Sequence, residues 1–206
     1  MHPNPAFRQT PRDTNLGFAR TRGFGTLCVN GDSGPMLAHV PFLVSEDGTE
    51  VHLHLVRSNP IARALSQDLQ AVVSVSGPDG YISPDWYGAD DQVPTWNYVA
   101  VHLRGVLSPM PDTALRDVLD RLSADFEARL APKPPWLSDK MSADALARMM
   151  RMIQPVRLQI GAVDGTWKLG QNKPDAARIG AAAAVLGGVG HELTELAALM
   201  QAADGS

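Results

Sequence analysis

The stretch Val51-His52-Leu53-His54-Leu55-Val56-Arg57-Ser58-Asn59-Pro60 decides the architecture. Val51, Leu53 and Leu55 alternate with His52 and His54. A period of two puts the aliphatics on one face of a strand and both imidazoles on the other. The chain then changes character. Asn59 suits an N-cap and Pro60 the first helical position, so a short helix over 60–66 follows at once. A strand with one polar face, ending in a short crossover helix, is the unit from which the rest of the chain is read.

Upstream, residues 25–29 and 36–44 read as strands, with Asn30-Gly31 as the hairpin signal between them and a turn at Glu46-Asp47-Gly48. Downstream, 71–76 and 98–107 complete at least five strands. Thr10-Pro11-Arg12-Asp13 opens a helix that runs to about Arg22. Residues 113–130 form an amphipathic helix with Leu115, Val118, Leu119, Leu122 and Phe126 on one face. After a proline-rich break at 131–138, a helix covers 142–153. A strand over 156–163 is expected to turn at Asp164-Gly165 and return through Trp167-Lys168-Leu169. Alanine-rich helices over 174–186 and 192–202 close the chain. Strands cluster early and do not alternate with helices, which excludes a doubly wound nucleotide fold. The class is α+β: a small antiparallel β-barrel with appended helices. One domain over 1–206 is expected, with helical additions at about 112–153 and 174–203.

Composition narrows the function classes. Eighteen Lys and Arg against 22 Asp and Glu give a net charge of −4, which argues against wholesale nucleic-acid binding. No apolar run reaches the length that spans a bilayer. Cys28 is the single cysteine, so neither an internal disulfide nor a Cys-rich zinc site can form. The first twenty residues carry no apolar signal core, and a cytoplasmic location is expected.

Four groups of residues bear on chemistry. Gly31-Asp32-Ser33-Gly34-Pro35 resembles the nucleophile segment of trypsin-like proteases, but too little chain precedes Ser33 to supply that family's His and Asp, and turn chemistry explains the run. His39, His52, His54 and His102 lie on strands. Pocket lining or hydrogen bonding within a polar barrel face accounts for them better than a metal does, and a haem axial role stays open. Arg57-Ser58-Asn59 precedes a helix N-terminus, where free N–H groups and a guanidinium suit a phosphate; ordinary capping by Asn59 is the alternative. Five of the twelve aromatics, Tyr81, Trp86, Tyr87, Trp96 and Tyr98, fall between 81 and 98, a concentration that suits either a planar heteroaromatic ligand or a subunit interface. The basic run Arg8, Arg12, Arg20 and Arg22 reads as a solvated helix face before it reads as a DNA-binding arm.

Three motifs carry a family resemblance: Tyr81-Ile82-Ser83-Pro84-Asp85-Trp86-Tyr87; Val93-Pro94-Thr95-Trp96-Asn97-Tyr98 with Ala100, Val101, His102 and Gly105; and Lys168-Leu169-Gly170-Gln171-Asn172-Lys173. With His39, Pro41 and Asn59-Pro60 they resemble the PaiB-type proteins, FMN-binding negative transcriptional regulators. The family commonly has Ser after Lys-Leu, where this chain has Gly170, with one hydroxyl fewer. The resemblance implies an FMN-binding split barrel, related in fold to pyridoxamine-phosphate oxidases, and a homodimer with flavin at the subunit interface. It assigns His39, Val40 and Pro41 to the flavin, and His54, Arg57, Ser58 and Asn59 to the end of the third strand that grips its phosphate. Trp96, Asn97 and Tyr98 fall beside the ring, and His102 is counted with the cofactor-binding residues. Trp167, Lys168, Gln171, Asn172 and Lys173 close the site from the partner subunit. No side chain stands out as a catalytic acid or base; Tyr98, His102 and His39 are candidates by location alone.

The expected function is an FMN-binding regulatory or flavin-dependent redox protein. Haem binding or degradation on the same barrel, and a cofactor-free structural dimer, are the alternatives. DNA is a weakly supported partner, since neither a helix-turn-helix nor a strong basic stripe is present.

Overall fold

Strand β3, Glu50–Val56, folds as its alternation dictates: Val51, Leu53 and Leu55 are buried, while His52 and His54 lie half-buried on the other face. The structure, a computed structural model, describes residues 2–203. Around β3 come α1 (Arg12–Arg22), β1 (Phe24–Gly31), β2 (Gly34–Val44), α2 (Pro60–Ala64), β4 (Leu69–Ile82) and β5 (Thr95–Pro109). Then follow α3 (Leu115–Ala128), α4 (Ala143–Met150), β6 (Ile153–Lys168), α5 (Asp175–Ala184), β7 (Gly190–His191) and α6 (Leu193–Ala202). The strand order is β1-β2-β3-β6-β5-β4-β7, and β1 also pairs with β4, so six strands close on themselves. The α+β class and the antiparallel barrel expected from the pattern are what the chain forms. Among the described residues, no helix is long and apolar enough to cross a membrane.

The chain divides into two compact units. The barrel unit comprises residues 19–74 and 103–163. Its interior is apolar, with Leu27, Val40, Phe42, Val51, Leu53, Val73, Leu103, Leu107, Val156 and Leu158 all buried. The β1–β2 hairpin turns at Asp32-Ser33, with Gly31 opposite Gly34, two residues beyond the Asn30-Gly31 signal. Register explains the shift. The observed pairing sets Val29 against Met36 and Leu27 against Ala38. A turn at Asn30-Gly31 would set Val29 against Asp32, placing a carboxylate on the core face. At Gly105 a Cβ would stand 1.8 Å from the Gln159 carbonyl oxygen, so the approach of β5 to β6 requires glycine there. Helix α3 lies on β2 and β3, with Leu115, Val118 and Leu122 buried. Arg129 fastens its end by donating to the carbonyls of Thr21 and Arg20 at 2.6 and 3.1 Å.

The other unit holds residues 2–18, 75–102 and 164–203. Its core joins Ile82, Tyr87, Val99 and Leu169 to Ala177, Ala181, Val185, Leu196 and Met200. The alanines let α5 and α6 approach closely. Arg178, 4% exposed, donates to the carbonyls of Met200 and Gln201 at the end of α6 and pairs with Asp175 at 2.6 Å. Two local expectations give way here. Strand β6 is continuous through Asp164-Gly165, where a turn was expected. A Cβ on Gly165 would stand 2.1 Å from the Asn15 side-chain oxygen, so this glycine serves a close passage. Trp167 confirms that passage by donating its indole N–H to the same Asn15 oxygen at 2.8 Å. The two-residue strand β7, which pairs with Asp79 and Gly80 of β4, forms between the two closing helices, where no strand was expected.

Candidate functional site

His52 and His54 share a strand face but not an environment. His52 meets Glu50 at 2.8 Å through Nε2 and Arg121 at 3.2 Å through Nδ1, and Glu50 in turn pairs with Arg157. Both nitrogens are committed. His54 has a buried Nδ1 with no hydrogen-bond partner. Burial pushes its pKa below the ordinary imidazole value, so the ring is neutral at neutral pH. It lines a groove of about 270 Å³ with Pro41, Leu119, Leu122, Ser123, Phe126 and Glu127. The walls come from the outer faces of β2 and β3 and from the α3 face read as core-forming. Glu127 is held by Lys133 and by the Trp136 backbone N–H, which keep its carboxyl pKa low. Among the described residues, no three His, Cys, Asp or Glu side chains gather as a metal site would require.

The neighbouring Arg57-Ser58-Asn59 segment is locally satisfied. Arg57 pairs with Asp112 at 2.7 Å and donates to the Arg151 carbonyl at 3.2 Å. Asn59 caps α2 by accepting from the Ile61 N–H at 2.9 Å. Helix α2 has only five residues, so its end carries little dipole. Ser58 is exposed, as is His39, while Val40 is buried in the core and offers only its backbone. The structure therefore brings Pro41 and His54 into one groove and sets His39, Arg57, Ser58 and Asn59 outside its lining.

A second pocket, of about 260 Å³, lies in the other unit. Asn97, Lys168, Asn172 and Lys173 line it, together with His2, Asn4, Phe7, Tyr87, Val93, Thr95 and Gly170. Lys168 donates to Thr95 Oγ1 and to the Trp96 carbonyl. Lys173 donates to Gln92 Oε1 at 2.6 Å and lies 5.2 Å from the centre of the Tyr87 ring. Burial, and after it the charge of Lys173, lowers the Lys168 pKa. The turn that delivers the segment has Gly170 at φ +82°, a left-handed conformation that a serine would adopt under strain. The missing hydroxyl is thus exchanged for an unstrained turn.

The remaining candidates are dispersed. Trp96 is 40% exposed and donates its indole N–H to Asp79 at 3.0 Å. Tyr98 and His102 are half-buried on the same face of β5. Trp167 packs edge-on against Phe18. Gln171 braces the loop from within, accepting from the Leu169 N–H and donating to the Trp167 carbonyl. Reading the sequence missed Leu119, Leu122 and Phe126, whose helical spacing signalled only a core face, and Ser123 beside them. It also missed the N-terminal residues of the lysine pocket, for which no local signal exists.

An isoalloxazine needs apolar walls and a few polar groups at its edge. Phe126, Leu119, Leu122 and Pro41 supply walls, and the unpartnered His54 nitrogen and the Ser123 side chain supply edge contacts. The donor set fits the group.

Comparison with known proteins gives the same direction. Residues 1–162 match a family described as "Putative FMN-binding domain". The "Protease synthase and sporulation protein PAI 2" of Bacillus subtilis (strain 168) is 28% identical over 169 residues, covering 81% of this chain and 80% of that protein. Among solved structures, the "FAD and Heme binding protein" of Mycobacterium smegmatis superposes with a TM-score of 0.58 at 23% identity, covering 89% of this chain and 82% of that one. The "Flavocytochrome Anf3" of Azotobacter vinelandii gives 0.54 at 16% identity, covering 81% and 72%. At these identities the structural likeness speaks for the fold, a split barrel with flanking helices.

Proposed function

This chain belongs to the FMN-binding domain family matched over residues 1–162, and we propose on that premise that it binds FMN as a homodimer and acts as a PaiB-like flavin-dependent redox or regulatory protein. The observation that carries the reading is His54: a half-buried neutral imidazole, unpartnered at Nδ1, in a groove walled by Pro41, Leu119, Leu122 and Phe126. FMN supplies one- and two-electron redox chemistry when bound. The chain's own part is to wall the ring with aliphatic and aromatic carbon and to offer the His54 nitrogen at its edge. The homodimer draws support from the outer face of β1 and β2, where Phe24 is 54% and Leu37 60% exposed.

The regulatory arm of the reading works through the flavin rather than through the basic N-terminal stretch. Arg8 is paired with Asp164 at 3.6 Å, and Arg20 donates to the carbonyls of Ser45 and Glu46. A gel shift at two salt concentrations tests direct DNA contact; a salt-sensitive shift would reinstate the arm.

The visible spectrum of the protein as purified, followed by titration with FMN, tests the main reading. Saturable quenching at one FMN per subunit, weakened tenfold or more by His54→Ala, is the expected result. No quenching by any flavin overturns it. With FMN loaded, oxidation of a reduced nicotinamide separates an enzyme from a binding module. A second reading, haem binding, rests on the same neutral imidazole, since an unprotonated nitrogen is what an axial ligand needs. A Soret band on haem addition, lost in His54→Ala, would favour it over flavin.

A further inference from the structure

The pocket around Lys168 and Lys173 has an electrostatic property that the His54 groove lacks. Two ammonium groups from one short segment line a single cavity. Their partners are all neutral oxygens: Thr95 Oγ1, the Trp96 carbonyl and Gln92 Oε1. Among the described residues neither lysine is paired with a carboxylate. Eight other cations of the molecule do have such a partner: Arg8, Arg57, Arg116, Arg121, Arg129, Lys133, Arg157 and Arg178 each meet an Asp or Glu within 4 Å. Two half-buried like charges kept together without a counter-charge carry a repulsive cost, and a bound anion removes it. The rest of the lining agrees. The amides of Asn97 and Asn172 and the side chain of Thr95 supply neutral polar groups, while Phe7 and Tyr87 wall one side with buried aromatic carbon.

We propose that this pocket is an anion seat for a phosphate-bearing ligand, held by Lys168 and Lys173 with Asn172 beside them. Two ammonium groups match a dianion better than a single carboxylate. The volume of about 260 Å³ exceeds a phosphate and leaves room for the arm that carries it, against Phe7 and Tyr87. Gly170 is part of the device. Its left-handed backbone turns the chain so that Lys168 before it and Lys173 after it reach the same space. The proposal rests on the flavin reading only for one possible carrier, the phosphate of FMN; a separate phosphorylated substrate is the other.

The test uses the full chain and three probes: FMN, riboflavin and inorganic phosphate. Binding is measured for the wild type, Lys168→Gln, Lys173→Gln and Lys173→Arg, with thermal unfolding run on each to verify folding. Because the Lys168 ammonium also ties β5, the Lys173 pair is the decisive one. Phosphate binding is expected in the wild type, weakened about tenfold to a hundredfold in Lys173→Gln and largely restored in Lys173→Arg. If FMN affinity falls in parallel while riboflavin affinity is unchanged, the seat holds the flavin's phosphate. If FMN binding is untouched while phosphate binding falls, the seat stands and serves a separate phosphorylated ligand. If the wild type binds phosphate but no flavin, the flavin reading fails and the seat survives it. Wild-type binding of phosphate and FMN that is indifferent to both glutamine substitutions overturns the proposal, as does an absence of phosphate binding together with equal affinities for FMN and riboflavin.

Discussion

The His54 groove and the lysine pocket have opposite electrostatic designs. The first is walled mainly by hydrocarbon, has Ser123 and the Lys133-paired Glu127 in its lining, and offers one neutral nitrogen without a partner. The second gathers two cations and gives them only neutral oxygens. A low-dielectric groove favours an uncharged, flat group through area burial and one or two hydrogen bonds. A cationic pocket favours a compact anion through charge. Within β3 the contrast recurs two residues apart: His52 is fixed by Glu50 and Arg121, and His54 is left with an open nitrogen. The lesson is that residue type marks a candidate, while the partners around it decide whether it has capacity left for a ligand.

The sharpest way to break the groove is to remove its floor. Leu122 is 5% exposed and belongs both to the barrel core and to the groove lining. Leu122→Ala should cost about 2–4 kcal/mol by chemical denaturation, through lost burial and a residual cavity. Flavin affinity should fall with it, while phosphate binding at the lysine pocket persists at temperatures where the variant is folded. Loss of stability below about 1 kcal/mol would show that α3 closes over the vacancy.

The lysine pocket breaks differently, through backbone. Gly170→Ala places a Cβ at φ +82°, with Arg178 and Asn97 atoms at 3.6 and 3.7 Å, so conformational strain outweighs clash. The expected cost is about 1–2 kcal/mol. Phosphate affinity should drop although no charge has been removed, and His54-dependent binding should hold. Unchanged phosphate affinity would separate the turn from the seat.

The contrast between these regions also shows what the sequence could reveal. The alternation in β3, the Asn59-Pro60 helix start and the amphipathic face of α3 each follow from local periodicity, so they were legible. The Asp164-Gly165 turn was not, because the same dipeptide serves a turn or a close passage, and only Asn15 on a distant segment decides which. The Asn30-Gly31 signal likewise yielded to a register set by burying Val29 and Leu27 against Met36 and Ala38. The capacity of His54 was invisible for the same reason. Period-two spacing brings Glu50 to His52, but nothing near His54 in sequence tells that Arg121 on α3 will take the other His52 nitrogen and leave His54 open.

That difference has a pH signature, small in size but specific to one residue. Burial lowers the folded-state pKa of His54 below its ordinary 6.5. Between the two values the unfolded chain binds a proton that the native chain does not, so native stability rises with pH across that window. The full stability is present above about pH 6.5, is lost progressively as pH falls through the depressed folded value, and falls no further from this group below it. Glu127, the titratable neighbour in the groove, stays ionised through the window because Lys133 and the Trp136 N–H hold its pKa low. A titration of the His54 ring protons by NMR should therefore give a midpoint below 6.5. Denaturation at several pH values should show that His54→Gln flattens the loss of stability on acidification relative to wild type. A His54 midpoint at or above 6.5, or a pH slope identical in the variant, would mean that water reaches Nδ1. The groove would then lack the dry wall on which its claim to a flat apolar ligand depends.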